Sequence, residues 1–445
     1  MAACAAASVL SALRFPLTRE QELRVALTAR DMAEGGSWVL PHYRGQPRFQ
    51  KPPLMYWLTA TAYRIAGCTD SALAARSAST CFSLALLVLI YAGGRFLVGR
   101  RAALYAAVFA GTSFLFLRFG FRSEADMPQS FFVSLSAFAA FHALRRAARP
   151  AGAWTVSGAA AGLGFLAKGL GGAVLPLLAA AGAAALPGFR GRAWRTAILA
   201  PIVFAVLALP WYLAVLGSSP LHDAAGAAVG KEMQALFVQP THPGPPVYYL
   251  YMMPVALAPW GLLLWLAVPT LVRHARRRPG VAFLAVWMVT TLLALSLLKN
   301  KQIHYCTLLL PPASLAAGLL VARSARGARR WTAVAARHYA AAVAVLLPLA
   351  GGAMTVAPWI PAARMSPSLV PYGLAVAMAG LAGLALRRRG PGRVTATVAA
   401  GVLVLGLAGS GPLGPLATGD FVMHAAADEI RGRLAPGATL FVVGG

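Results

Sequence analysis

The side chains that could do chemistry fall into three clusters. Arg19-Glu20-Gln21-Glu22-Leu23-Arg24 alternates acids with arginines, so a carboxylate there can be held ionised by a neighbouring guanidinium. A solvated interfacial helix face is the competing reading. Arg122-Ser123-Glu124-Ala125-Asp126 is a tight acidic turn between two apolar runs. Acids at a hydrocarbon boundary are costly to place and often mark a site, while Asp126 ahead of Met127-Pro128 also fits a helix cap. The third cluster is cationic: Lys51 within Arg48-Phe49-Gln50-Lys51-Pro52-Pro53, Lys168 in an otherwise apolar stretch, and Lys299 and Lys301 flanking Asn300 ahead of His304-Tyr305. These cations suit an anionic headgroup such as a phosphate. For Lys168, followed by Gly169 between closely spaced apolar runs, snorkelling to the surface is the alternative.

Several apparent motifs carry nothing. Gly162-Leu163-Gly164 with Lys168 lacks the ending of a phosphate-binding loop and lies in a hydrophobic run, where small residues serve helix packing. The histidines are scattered without a metal-binding spacing. Cys4, Cys68, Cys81 and Cys306 form no CxxC pair and read as small apolar residues. His242-Pro243-Gly244-Pro245-Pro246 is a turn by composition.

The elements that must position these residues are membrane helices. Of 445 residues, 59% are hydrophobic and 12% charged, far from the about 45–50% apolar and about 25% charged of a soluble domain. Disorder, collagen and a disulfide scaffold are excluded by the same figures. Uncharged runs near the roughly 20 residues a spanning helix needs recur at 77–94, 102–117, 127–144, 152–167, 169–187, 196–216, 247–271, 280–298, 305–322, 338–357, 368–386 and 394–413.

Residues 1–13 read as a short or truncated first transmembrane helix, and 14–76 as an outer loop with interfacial helices over Glu20 to Met32 and Pro52 to Ile65. The span 77–413 is the transmembrane domain, with a second outer loop at 217–246 holding a short helix around Lys231 to Phe237. Residues 414–445 read as the start of an outer α/β segment that is incomplete at 445.

Charge supports this count. Every second gap between runs is rich in arginine, as in Arg276-Arg277-Arg278 and Arg387-Arg388-Arg389, and holds no Asp or Glu; the alternate gaps and outer segments hold all 12 acids. The formal charge of +28 is therefore the positive-inside pattern, and a nucleic-acid partner is excluded because the basic residues sit at helix ends. With no acid on the inner side, carboxylate chemistry belongs to the outer face. Two classes fit: a lipid-phosphate-handling enzyme, and a lipid or small-molecule transporter or flippase. A transporter places ionisable groups near the midplane on broken helices in related halves. The runs here are nearly charge-free at their centres and show no matching halves, which favours chemistry at the interface.

At this point the residues resemble a known family. Met32 to Pro41, Gly45 and Phe49-Gln50-Lys51-Pro52-Pro53-Leu54-Met55-Tyr56-Trp57-Leu58 are similar to the first outer loop of bacterial GT-C glycosyltransferases. Within these, the lipid A aminoarabinose transferases and other polyprenyl-phosphate-sugar-dependent enzymes are nearest, with protein O-mannosyltransferases more distant. Arg122 to Met127, Gly164 to Gly169, Pro210-Trp211-Tyr212, His242 to Pro245 with Pro259-Trp260, and Lys299 to Tyr305 with Pro311-Pro312 follow in the family's order.

The resemblance implies an all-α polytopic bundle of about 12–13 transmembrane helices. It also implies inverting transfer of a sugar from a polyprenyl-phosphate donor to a lipid, glycan or protein acceptor. The setting would be the bacterial cytoplasmic membrane among membrane lipids, with the site facing the periplasm or exterior. By the same resemblance, Lys51 and Lys168 or Lys299 would stabilise the leaving phosphate. Asp126 would line the cavity, a carboxylate of the first loop would orient or deprotonate the acceptor, and Arg24, Glu124, His304 and Tyr305 would contact substrate. Two departures matter. Gln21 and Glu22 stand where the family carries Asp-Glu, so Glu22 is the expected base and Glu20 the fallback. Gln50 stands where aminoarabinose members carry an acid before Lys-Pro-Pro. An amide is the poorer ligand, so no cofactor is assigned and a divalent metal is disfavoured.

Overall fold

The computed structural model describes residues 19–145, 150–186, 195–217, 236–324, 331–356, 369–386 and 391–409, with a few single positions between them. The expected first helix (1–13) and the outer α/β segment (414–445) lie outside the described residues, as does most of the short helix around Lys231. The described chain is almost wholly helical, with one two-residue β-hairpin, His42–Tyr43 against Gln46–Pro47.

Helices form over both segments that the sequence reads as interfacial. Glu20–Ala33 buries Leu23, Val25, Ala26, Ala29 and Met32, and packs on Leu54–Ala66, which buries Met55, Tyr56, Ala60 and Tyr63. The apolar stripe of each helix meets the other, and of the first helix's charged residues Glu22 is buried with it while Glu20 and Asp31 stay exposed. Trp38 Nε1 donates to Met32 O at 3.1 Å, and Trp57 Nε1 donates to Trp38 O at 2.6 Å, tying the intervening loop to both.

Among the described residues, Ala72–Leu97, Leu199–Leu216 and Pro279–Leu297 are each long and apolar enough to cross a bilayer. Leu199–Leu216 leaves apolar side chains such as Val206 and Leu213 uncovered, as a helix facing lipid does. Other expected runs appear as shorter apolar helices, including Gly171–Ala184 and Val370–Ala385. Asp126–Arg145 instead carries buried serines: Ser130 Oγ donates to Thr307 O at 2.6 Å, and Ser136 Oγ to Ser157 O at 2.8 Å. Such bonds between elements satisfy hydroxyls where water is absent.

Two runs read as continuous are broken. The 102–117 run divides into Arg100–Gly111 and Phe114–Phe119: Thr112 Oγ1 donates back to Val108 O at 2.7 Å and Ser113 Oγ to Ala110 O at 2.7 Å, while Ser113 Oγ caps the second helix by accepting Phe116 N–H at 3.2 Å. The 247–271 run divides into Tyr248–Ala256 and Gly261–Ala275, bent by 116°, where Pro254 and Pro259 withhold backbone donors. The two breaks meet. Phe114 N–H donates to Ala258 O at 2.9 Å, and Trp260 Nε1 donates to Thr112 Oγ1 at 2.7 Å, so each frees groups that the other satisfies.

Packing around Asp126–Arg145 sets the site. This helix packs on Pro150–Lys168, which in turn packs on Leu199–Leu216 and Gly171–Ala184. The reversal after Lys168 depends on glycine. Gly169 adopts a left-handed φ of 97°, which an L side chain resists. A Cβ on Gly172 would lie 2.1 Å from the Gly164 carbonyl carbon, so only glycine lets these helices close. Lys168 is thereby held at the crown of a tight turn beside the first residue of Asp126–Arg145. Trp331–Val356, Val370–Ala385 and Pro391–Gly409 pack mainly on one another, away from the site residues.

Candidate functional site

A cavity of about 770 Å³ opens where the acidic turn, the first interfacial helix, the Lys168 turn and the 300–305 segment converge. Its volume lies within the range of small-molecule sites. The sequence-predicted residues that line it are Glu20, Arg24, Lys51, Glu124, Asp126, Lys168, His304 and Tyr305. These span 285 positions of sequence, and only the fold brings them together.

Lys168 Nζ donates to Asp126 Oδ1 at 2.5 Å, both side chains being largely buried. The same ammonium lies 5.5 Å from the centre of the Tyr305 ring, a cation–π approach that fixes it further. His304 stands perpendicular to Tyr305, ring centres 4.6 Å apart, and meets the edge of Phe119 at 6.1 Å. Burial, with Lys168 and Lys51 nearby, pushes the His304 imidazole down to about 3, so it lines the cavity as a neutral donor and acceptor. At the rim, Glu20 and Arg24 pair one helical turn apart.

Glu22 is placed differently from the sequence reading. It does not line the cavity. It is buried at 2% exposure, where its Oε1 accepts Arg76 Nε at 2.9 Å and the Ser123 N–H at 3.0 Å, and its Oε2 accepts Arg76 Nη2 at 3.2 Å. Its lone pairs are committed to joining the helix Glu20–Ala33, the helix Ala72–Leu97 and the acidic turn, which sets the expected base apart from the residues that line the cavity. Gln21, its neighbour, faces the cavity instead. Positions one apart on a helix differ by 100°, so the side that Arg76 claims decides which residue meets the cavity.

Lys299 is likewise placed outside the cavity lining. Its backbone N–H donates to Leu236 O at 2.9 Å and it is absent from the cavity wall, which Lys301 joins. Lys301 Nζ donates to Leu295 O at 3.1 Å and Ser296 O at 2.7 Å, satisfying the last carbonyls of Pro279–Leu297, and lies 5.2 Å from the Tyr249 ring centre. Asn300 ties down the second outer loop: its Oδ1 accepts His242 N–H at 3.0 Å, and Lys301 N–H donates to His242 O at 2.8 Å.

Sequence reasoning missed several wall residues. Arg48 donates from Nε to the Tyr56 hydroxyl at 2.8 Å and from Nη1 to Gln50 Oε1 at 3.3 Å. Gln302 Nε2 lies 3.3 Å from His242 Nδ1. Arg118 sits over Phe114 and Phe119 at 5.7 and 5.9 Å. The signal for Arg118 was available: with Arg122 it lies at the acid-bearing end of an apolar run, against the positive-inside bias. Among the described residues no three His, Cys, Asp or Glu side chains converge as metal ligands.

The chain resembles proteins of known chemistry. Residues 50–216 match the family of dolichyl-phosphate-mannose-protein mannosyltransferases. An undecaprenyl phosphate-alpha-4-amino-4-deoxy-L-arabinose arabinosyl transferase of Pseudomonas paraeruginosa is 32% identical over 316 residues, covering 67% of this chain and 54% of that protein. Its Pseudomonas aeruginosa counterpart gives the same figures. The chain thus spans about half the length of these relatives. Among solved structures, ArnT from Cupriavidus metallidurans bound to undecaprenyl phosphate superposes with a TM-score of 0.76 at 22% identity, covering 99% of this chain and 81% of that one. An Archaeoglobus fulgidus oligosaccharyltransferase gives 0.53 at 14%, covering 90% and 55%.

Proposed function

Because the chain has the all-α polytopic GT-C fold and resembles aminoarabinose transferases across two thirds of its length, we propose that it transfers a sugar, with inversion, from a polyprenyl-phosphate carrier to an acceptor. The observation that carries this reading is the cavity in which Lys51, Lys168 and Asp126 share one wall. In a single displacement, the acceptor attacks the anomeric carbon and the bond to the lipid phosphate breaks with its electron pair on the phosphate oxygen. Lys51 and Lys168 are cations prepositioned for that charge, which is where electrostatic stabilisation acts most strongly. Asp126 holds Lys168 in place. Glu20 and Arg24 at the rim, with Glu124, His304 and Tyr305 deeper in the wall, form the remaining surface for sugar and acceptor. ArnT's undecaprenyl phosphate supports a carrier of the same class here, and the acceptor is a lipid, glycan or protein.

The protein is multi-pass, and we place the cavity at the periplasmic or exterior face of the bacterial cytoplasmic membrane. The arginine-rich gaps support that orientation. A reporter fused after Arg278 is expected to lie in the cytoplasm and one after Lys301 outside; the reverse result overturns the orientation.

Incubating purified protein with polyprenyl-phosphate sugars and total membrane lipid is expected to give one acceptor species that gains the mass of the sugar. If labelled lipid changes leaflet while no sugar moves, the transferase reading is overturned in favour of a flippase.

A further inference from the structure

Four carboxylates lie in or beside the cavity wall, and three are engaged. Glu20 is bonded to Arg24, Glu22 to Arg76 and the Ser123 N–H, and Asp126 to Lys168. Glu124 lines the cavity, and its carboxylate makes no ion pair or hydrogen bond among the described residues. Its backbone, by contrast, is fixed on both sides. Ser79 Oγ donates to Glu124 O at 2.5 Å, Glu124 N–H donates to Arg122 O at 2.7 Å, and the preceding N–H is clamped by Glu22. A carboxylate with unused lone pairs on a fixed backbone, lining the same cavity as the Lys168–Asp126 pair, is placed to receive a proton. The first interfacial helix presents Gln21, not an acid, to that space, and an amide cannot take a proton there.

Resting on the sugar-transfer reading, we infer that Glu124 is the general base and that the acceptor is a hydroxyl group. The acceptor oxygen forms the new bond to the anomeric carbon as the carbon–oxygen bond to the lipid phosphate breaks. The hydroxyl proton passes to the Glu124 carboxylate and then to water at the cavity mouth. A phosphate acceptor arrives ionised and would meet, in Glu124, a repelling charge with no proton to collect.

The electrostatic surroundings fit this role. Burial pushes the Glu124 carboxyl up to about 7, with the negative charges of Asp126 and Glu22 adding to the rise and Arg122 and Lys168 opposing it; Arg118 faces it from the neighbouring helix. A base is most effective when its pKa lies near the working pH. Because the ionised form is the active one, the rate is expected to climb as pH rises through about 7 and to fall below it.

The test uses the full chain in detergent or nanodiscs, with an undecaprenyl-phosphate sugar as donor and total membrane lipid as acceptor. Glu124→Gln is expected to lower kcat by roughly 10²–10⁴-fold, to leave undecaprenyl-phosphate binding intact, and to flatten the acid limb of the pH profile. Glu124→Asp should restore part of the rate together with the limb. The product is expected to survive mild acid, as a glycoside does and a glycosyl phosphate does not. A wild-type rate with an unchanged pH profile in Glu124→Gln overturns the inference, and so does an acid-labile product. Both outcomes leave the transferase reading standing, whereas a wild-type protein that moves no sugar overturns the two together.

Discussion

Replacing Asp126 or Lys51 with alanine is expected to abolish sugar transfer while the protein still inserts in the membrane. Asp126 holds the Lys168 ammonium at 2.5 Å in a largely buried setting, and both lie in the wall that Lys51 shares. Removing a preorganised partner of developing charge costs about 10²–10³-fold in rate, so Asp126→Ala, Lys168→Ala and Lys51→Ala should each lose at least that much. The pair also makes a statement about coupling. If Asp126 acts by holding Lys168, the double variant should be barely slower than either single one, because residues acting as a unit are not additive. Initial rates of transfer, set against the amount of protein in the membrane fraction, decide this. Near-normal turnover in Lys51→Ala and Asp126→Ala would remove the cavity from the reaction.

Glu22→Gln is expected to act on stability before chemistry. Glu22 and Arg76 are both about 3% exposed at the side chain, and breaking a buried pair by removing one partner costs about 3–5 kcal/mol because the other charge stays buried. The Ser123 N–H loses its charged acceptor as well, so the acidic turn loosens on one side. Thermal or denaturant unfolding in detergent should show the loss. The variant that also replaces Arg76 with methionine should recover much of it, since an apolar pair of similar volume can stand in for a buried ion pair. Unchanged stability with slowed transfer and retained donor binding would return Glu22 to the reaction as its base.

Those two outcomes concern residues that looked alike in one dimension. Glu20 and Glu22 both alternate with arginines in the same short segment. On a helix, residues two apart point about 200° apart, so one of them had to face away from whatever the other faced. Which one does so depends on Arg76 and Ser123, which lie 54 and 101 positions away from Glu22 in the chain. The same holds for Lys299 and Lys301. They are two residues apart, and the bonding of Asn300 and Lys301 to His242 turns one toward the cavity and the other to the loop.

The broken helices follow the same logic. Thr112 and Ser113 within an apolar run are compatible with a continuous helix, because hydroxyls can bond back to their own turn. They become a break because Ala258 O and Trp260 Nε1 from a distant segment take up the groups released there.

What composition and periodicity determined was the class, a multi-pass membrane protein. A chain with 59% hydrophobic residues, whose every second gap is rich in arginine and free of Asp and Glu, has one stable solvent, the bilayer, and the arginine bias supports the orientation proposed above. The helices Glu20–Ala33 and Leu54–Ala66 were legible for a local reason, an apolar stripe at helical spacing in the first and an apolar, aromatic run in the second. The side-chain pairing was decided only by the tertiary structure: Lys168 against Asp126, Glu22 against Arg76, and Glu124 in the cavity wall. Hydrophobic burial is non-directional and readable along the chain. An ion pair needs two groups within about 4 Å, and that distance exists only after helices far apart in sequence have packed.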